Sequence, residues 1–144
     1  MNILIINGPN INMIGSRNTE IYGNQDYQSL IDTIKNHGKK NNISIDIYQT
    51  NHEGDIIDYL QQKINQYDGL VINPGAFTHY SYAIRDAIEW LDIPIIEVHL
   101  TNIFQRESFR HLSVIQDVVD QTIVGKGFKG YIEAIDAMIK VIKK

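Results

Sequence analysis

The amino-acid sequence predicts an α/β fold in which a doubly wound, five-stranded parallel sheet carries helices on both faces. Three observations lead there. Short β-like runs alternate with amphipathic helical stretches throughout the 144 residues, as a parallel sheet with crossover helices requires. Runs such as Ile3-Leu4-Ile5-Ile6 and Leu70-Val71-Ile72 are apolar at every position, which suits strands buried on both faces. Each stops at residues that force a loop, Asn7-Gly8-Pro9-Asn10 in one case and Asn73-Pro74-Gly75 in the other.

The elements follow in order. After the first strand, a long polar loop runs through Gly23, which taken alone could equally be a surface loop with no catalytic duty. A helix then carries Tyr27, Leu30, Ile31 and Ile34 on one face and fades at Gly38-Lys39-Lys40. Ile43, Ile45 and Ile47 alternate with Ser44, Asp46 and Tyr48, which marks a strand with one polar face at a sheet edge. Ile56, Ile57, Leu60 and Ile64 give a second helix, and the third strand, residues 70–72, follows. Ala83, Ile84, Ala87, Ile88 and Leu91 give a third helix. In the fourth strand, Ile95-Ile96-Glu97-Val98-His99, the two-residue period puts Glu97 and His99 on one face. Beyond an irregular stretch, Thr122-Ile123-Val124 forms a short last strand, and Tyr131, Ile132, Ile135, Met138, Ile139 and Ile142 line the final helix. Lys140, Lys143 and Lys144 complement its C-terminal dipole. Residues 1–144 read as a single domain with no internal repeat or linker.

Composition narrows the function. Hydrophobic residues make up 43% and charged ones 21%, a globular balance, and the net charge of -4 leaves no broad basic face for nucleic acid. A small molecule is the expected partner, and an acidic chain can still bind an anion where Arg, His and backbone N–H groups converge. There is no cysteine, so disulfides, thiol nucleophiles and thiolate metal sites are excluded. The apolar runs are too short for a membrane span, and the first residues lack a basic leader, so the cytoplasm is the expected location.

In a doubly wound sheet, ligands bind outside the carboxyl ends of the strands. Residues 7–10, 73–75 and 99–101 all fall there. The loop through Ser16-Arg17 to Tyr22-Gly23 adds one cation and one phenol. Residues 72–87 join a strand end to a helix start, whose exposed N–H groups together with His79 would face the crevice. Glu97 and His99 could equally be a buried pair serving stability alone. Gly125-Lys126-Gly127-Phe128-Lys129-Gly130 matches G-x-G-x-x-G literally, but no second strand or ribose-binding acid can follow so close to the carboxyl end. It reads as a turn into the last helix. His52-Glu53 only begins an H-E-x-x-H pattern, and His37, His52 and His111 read as solvated or structural.

Taken together and in this order, with Arg106, Phe109 and Arg110 after them, these segments resemble the type II 3-dehydroquinate dehydratase family over essentially the whole chain. The resemblance implies a flavodoxin-like sheet of order 2-1-3-4-5, a dodecamer built from trimers, and trans elimination of water from 3-dehydroquinate to 3-dehydroshikimate in the shikimate pathway. It implies no metal, no cofactor and no Schiff base. Tyr22 resembles the general base at C2 and Arg17 the cation that activates it. Lowering a phenol from ~10 by about three units takes ~4 kcal/mol, which a cation ~4 Å away supplies at an effective dielectric of ~20. By the same resemblance, Asn10 and the turn at residues 73–76, including Asn73 and Ala76, serve the enolate. His99 is the general acid and Glu97 orients and charges it. Arg110, His79 and Asn73 hold ring hydroxyls, the backbone at Leu100 and Thr101 takes the carboxylate, and Asp86 reaches the substrate of a neighbouring subunit. Asn18-Thr19 and Gln121 depart from the common pattern, touching loop stiffness and the last strand.

Three rival readings are weighed against this one. A receiver module would use Thr101 and Lys126 but needs an acidic cluster where the chain has Asn7 and Asn73. A flavin module needs a hydroxyl-rich phosphate loop after the first strand, which Asn-Gly-Pro-Asn does not supply. A catalytically idle binding scaffold is disfavoured by the presence of Tyr22, Arg17 and His99 together.

Overall fold

The computed structural model describes residues 1–16 and 25–144. Five strands, β1 (Asn2–Asn7), β2 (Ser44–Gln49), β3 (Gly69–Asn73), β4 (Ile95–His99) and β5 (Gln121–Val124), pair in parallel in the order β2-β1-β3-β4-β5. The expected order and edge position of the second strand are both borne out. Among the described residues, three helices cross between them, α1 (Tyr27–Lys40), α2 (Glu53–Lys63) and α3 (Tyr82–Glu89), and a fourth, α4 (Phe128–Ile142), follows β5. The stretch between β4 and β5 that reads as irregular contains three 3-10 turns, Ile103–Gln105, Ser108–Arg110 and Gln116–Val118.

The alternation of side chains along each central strand divides the core in two. Ile3, Ile5, Val71, Ile96 and Val98 pack on one face against Leu30 and Ile34 of α1 and Tyr131, Ile135 and Met138 of α4. Leu4, Ile6, Leu70, Ile72 and Ile95 pack on the other against Ile56 and Leu60 of α2 and Ile84 and Ile88 of α3. Each such side chain, when fully buried, contributes roughly 1.5–3 kcal/mol of transfer free energy. This parity also sorts the polar residues at the strand ends. Asn7 and Asn73 fall on the α1/α4 side, whereas Glu97 and His99 fall on the α2/α3 side.

Helix starts are set locally. Asp26 caps α1 by accepting from Ser29 N at 2.8 Å, and Ser81 caps α3 by accepting from Ile84 N at 3.0 Å. The G-x-G-x-x-G stretch is the turn into α4. Gly125 N–H donates to His99 O and Gly127 N–H to Leu100 O, so the turn clamps the carboxyl end of β4. Among the described residues, no helix is long and apolar enough to cross a membrane.

Candidate active site

The carboxyl ends of β1, β3 and β4 open on a pocket. The segment after β1 lines it with Pro9, Asn10, Ile11, Met13 and Ile14. The end of β3 and the 3-10 turn Gly75–His79 supply Asn73, Gly75, Ala76 and His79, and the segment from His99 onward supplies His99, Leu100, Thr101, Ile103, Arg106 and Arg110.

The floor is a hydrogen-bonded relay. Gly75 N–H donates to Asn73 Oδ1 (3.1 Å), Asn73 Nδ2 to Tyr131 Oη (2.9 Å), Tyr131 Oη to Asn7 Oδ1 (2.6 Å) and Asn7 Nδ2 to Tyr27 Oη (3.2 Å). Every link points the same way, an arrangement in which successive bonds polarise one another. The loops after β1 and β3 also meet directly, since Gly8 N–H donates to Asn73 O at 2.8 Å. A Cβ on Gly8 would stand 2.3 Å from Pro74 O, so glycine is required for the approach. Gly75 takes φ +61, which lets the chain turn sharply under the pocket.

Asn10 holds φ 69 in the left-handed region, where asparagine is among the few non-glycine residues tolerated. Its N–H is tied to Asn51 Oδ1 at 3.1 Å, and Gln49 Nε2 at the end of β2 reaches Gly8 O at 3.2 Å. The edge strand thus braces the segment that lines the pocket.

On the opposite wall, His99 Nε2 lies 2.7 Å from Glu97 Oε1. Glu97 is fully buried and His99 is 5% exposed. Three hydroxyls converge on the same carboxylate. Thr78 Oγ1 donates to Oε1, Ser113 Oγ lies 2.9 Å from Oε1 and 3.0 Å from Oε2, and Thr122 Oγ1 donates to Oε2 over 3.3 Å. Burial alone would raise the Glu97 carboxyl. The His99 bond and charge and the hydroxyl donors outweigh it and hold the group below the ordinary glutamate value. The acid is an anion at neutral pH, and its bond from Nε2 leaves Nδ1 as the other ring nitrogen to carry or release a proton.

His79 differs. Its burial pushes the imidazole down, and the charges of His99 and Arg110 add to that against the bond to Leu112 O. A neutral ring donating from Nδ1 to Leu112 O (2.7 Å) keeps an acceptor lone pair on Nε2. Arg110 donates from Nε to Glu107 Oε2 at 2.7 Å and lies 4.7 Å over the Phe109 ring, so its planar head is oriented before any ligand arrives.

Of the residues singled out from sequence, Asn10, Asn73, Ala76, His79, His99, Leu100, Thr101 and Arg110 line this one pocket, with Glu97 directly behind His99. Asp86 does not line it. It sits exposed on α3 between Tyr82, 63% exposed, and Trp90, 86% exposed. Arg17 and Tyr22, with Asn18, Thr19 and Gly23, lie outside the described residues. One expectation is corrected. The residues that line the crevice after β3 belong to the 3-10 turn Gly75–His79 and not to a helix start, because α3 starts only at Tyr82 and its first turn is capped by buried Ser81. Sequence reasoning missed Tyr131, Thr78, Ser113 and Thr122. Tyr131 carries a signal in retrospect, a hydroxyl on an otherwise aliphatic helix face. The three hydroxyl residues carry none that spacing reveals.

Comparison with known proteins gives a consistent picture. The family model described as Dehydroquinase class II matches residues 1–139. A 3-dehydroquinate dehydratase from Lachnoclostridium phytofermentans is 51% identical over 142 residues, covering 98% of each chain. One from Thermotoga petrophila is 48% identical over 144 residues, covering 100% of this chain and 99% of the relative. The crystal structure of a type II dehydroquinase from Butyrivibrio crossotus superposes with a TM-score of 0.93 at 53% identity, over 96% of this chain and 97% of that one.

Proposed function

The chain belongs to the class II dehydroquinase family, and from that premise we propose that the pocket at the ends of β1, β3 and β4 dehydrates 3-dehydroquinate to 3-dehydroshikimate in the shikimate pathway. The observation that carries the reading is the buried Glu97–His99 pair, an oriented proton source set in the wall of a pocket whose other walls hold amides and guanidinium groups.

The reaction runs as a trans elimination through an enolate. Tyr22, made more acidic by Arg17, takes a proton from C2, and the electron pair moves onto the C3 ketone oxygen. The Asn10 side chain and the turn carrying Asn73 and Ala76 stabilise that charge, and donors held in place beforehand favour the transition state over the ground state. The enolate then re-forms the carbonyl, the C1–O bond breaks, and His99 delivers a proton to the departing hydroxide, giving water and the conjugated enone. Glu97 stabilises the imidazolium before transfer. Arg110 and His79 hold ring hydroxyls with Asn73, and backbone N–H groups at Leu100 and Thr101 receive the carboxylate. Because both polar atoms of the Asn73 amide are engaged with Tyr131 and Gly75, its part is weighted toward shaping the turn.

The proposal takes residues 1–144 as one catalytic domain with residues 8–24 as its lid. It places the enzyme in the cytoplasm as a dodecamer built from trimers and needs neither metal nor cofactor. Support for the assembly comes from the family resemblance and from α3, where exposed Tyr82 and Trp90 flank Asp86 as an interface core flanks a polar contact. In that assembly, Asp86 reaches the substrate of the neighbouring subunit. Purified protein mixed with 3-dehydroquinate should raise the ultraviolet absorbance of the enone product, and replacing His99 by Gln should abolish most of the rise. An unchanged spectrum at high enzyme concentration contradicts the assignment.

A further inference from the structure

The Glu97 carboxylate is fully buried, and among the described residues its one ion-pair partner is His99. Its remaining bonds come from neutral hydroxyls on three separate elements: Thr78 in the turn after β3, Ser113 in the segment after Arg110, and Thr122 on β5. Thr78 is fully buried, Ser113 is 6% exposed, and none of the three lines the pocket. Ser113 Oγ and Thr78 Oγ1 are also 3.1 Å apart, and Val114 N–H donates to Thr78 O at 2.7 Å, so the cage closes on itself.

The choice of donor matters. A lysine or arginine beside Glu97 would stabilise the anion but would also repel a proton on His99. Hydroxyls stabilise the anion through charge-assisted bonds while leaving its whole charge to act on the imidazole. Resting on the dehydratase reading of the same pocket, we propose that Thr78, Ser113 and Thr122 are positioning residues for proton delivery. Their hydroxyls keep Glu97 ionised and fixed, and Glu97 in turn holds His99 by Nε2 with Nδ1 toward the pocket. The Glu97 carboxyl, held below the ordinary glutamate range despite its burial, agrees with this arrangement.

The other titratable and charged groups facing the pair, among the described residues, are His79 on the turn after β3 and Arg106 and Arg110 after β4. β5 brings Thr122 and no charge. Loss of a hydroxyl should therefore let Glu97 take up a proton at a higher pH. Below that pH, His99 loses its anion and its anchor together. Because the cage touches no substrate, KM and the high-pH plateau of kcat should be nearly preserved.

The test is the pH profile of kcat for purified Thr78→Val and Ser113→Ala, with Thr78→Ser as the conservative control. Each deletion should move the acid limb up by about one pH unit, change plateau kcat and KM by no more than about twofold, and leave Thr78→Ser near wild type. The Glu97 side-chain carbon, assigned by Glu97→Gln in glutamate-labelled protein, should show the same upward movement in its NMR titration midpoint. Should Thr78→Val fail to fold, Ser113→Ala decides alone. An acid limb and carbon titration that stay put, or a kcat loss equal at every pH, overturns the proposal and returns the hydroxyls to packing. Wild-type protein that forms no enone overturns the dehydratase reading instead, while the carbon titration still decides the cage.

Discussion

Asn7 and Asn73 end adjacent strands and share one hydroxyl: Tyr131 Oη donates to Asn7 Oδ1 over 2.6 Å and accepts from Asn73 Nδ2 over 2.9 Å. Tyr131 is fully buried, so water cannot take over either bond. Tyr131→Phe keeps the ring but strands one buried acceptor and one buried donor, at about 1–3 kcal/mol for each group. The variant should lose about 3 kcal/mol in urea unfolding, read as a lower midpoint at unchanged slope. A loss below about 0.5 kcal/mol would mean that the two amides satisfy each other without the phenol, and that the pocket floor does not depend on it.

The same residue predicts an alkaline weakness. Burial pushes the Tyr131 hydroxyl well above the ordinary phenol value, against the bond from Asn73. A group raised in the folded state contributes stability that is complete below the unfolded value, about 10 for tyrosine, and is lost as pH climbs beyond it. Stability measured between pH 9 and 11.5 should therefore fall more steeply in wild type than in Tyr131→Phe. Tyr67, also raised chiefly by burial and bonded to Asp46 instead of this relay, contributes equally to both proteins and cancels in the comparison. Parallel curves would show that the phenol ionises in place.

Two glycines give opposite expectations for one chemical change. A Cβ at Gly8 would meet Pro74 O at 2.3 Å, whereas at Gly54 in the first turn of α2 it meets nothing within 4 Å. Gly54→Ala should stabilise by roughly 0.5–1 kcal/mol through helix propensity. Gly8→Ala should destabilise by more than about 2 kcal/mol, because backbone on both sides must move, and it should cost activity by displacing the turn that carries Gly75 and Ala76. Thermal melts of the pair decide the matter, and an ordinary melting temperature for Gly8→Ala would show that the two loops are free to part.

Much of this architecture is legible in the chain because it is periodic. Apolar runs ending in Asn-Gly-Pro and Asn-Pro-Gly mark β1 and β3, and the two-residue period alone sets Glu97 beside His99. What escapes a reading of spacing is polar contact made across the fold. Tyr131 counts as one more apolar residue on its helix face, and nothing local reveals that its hydroxyl lands between two asparagines 58 and 124 residues away. Thr78 and Ser113 stand 35 residues apart and meet only because the chain after β4 returns over the turn after β3. The turn after β3 escapes for a different reason. The third helix is legible from Ala83 onward, but nothing periodic marks the tight 3-10 turn that Pro74 and Gly75 permit before the Ser81 cap.

The most direct test of the account follows one atom. 3-Dehydroquinate carrying deuterium stereospecifically at C2 is turned over by the purified protein, and the product is examined by proton NMR. Trans elimination requires a base and an acid on opposite faces of the ring, the roles proposed above for Tyr22 and His99. The account predicts 3-dehydroshikimate that has lost the hydrogen anti to the departing hydroxyl and kept the other. Loss of the syn hydrogen, or no product at all, would contradict it.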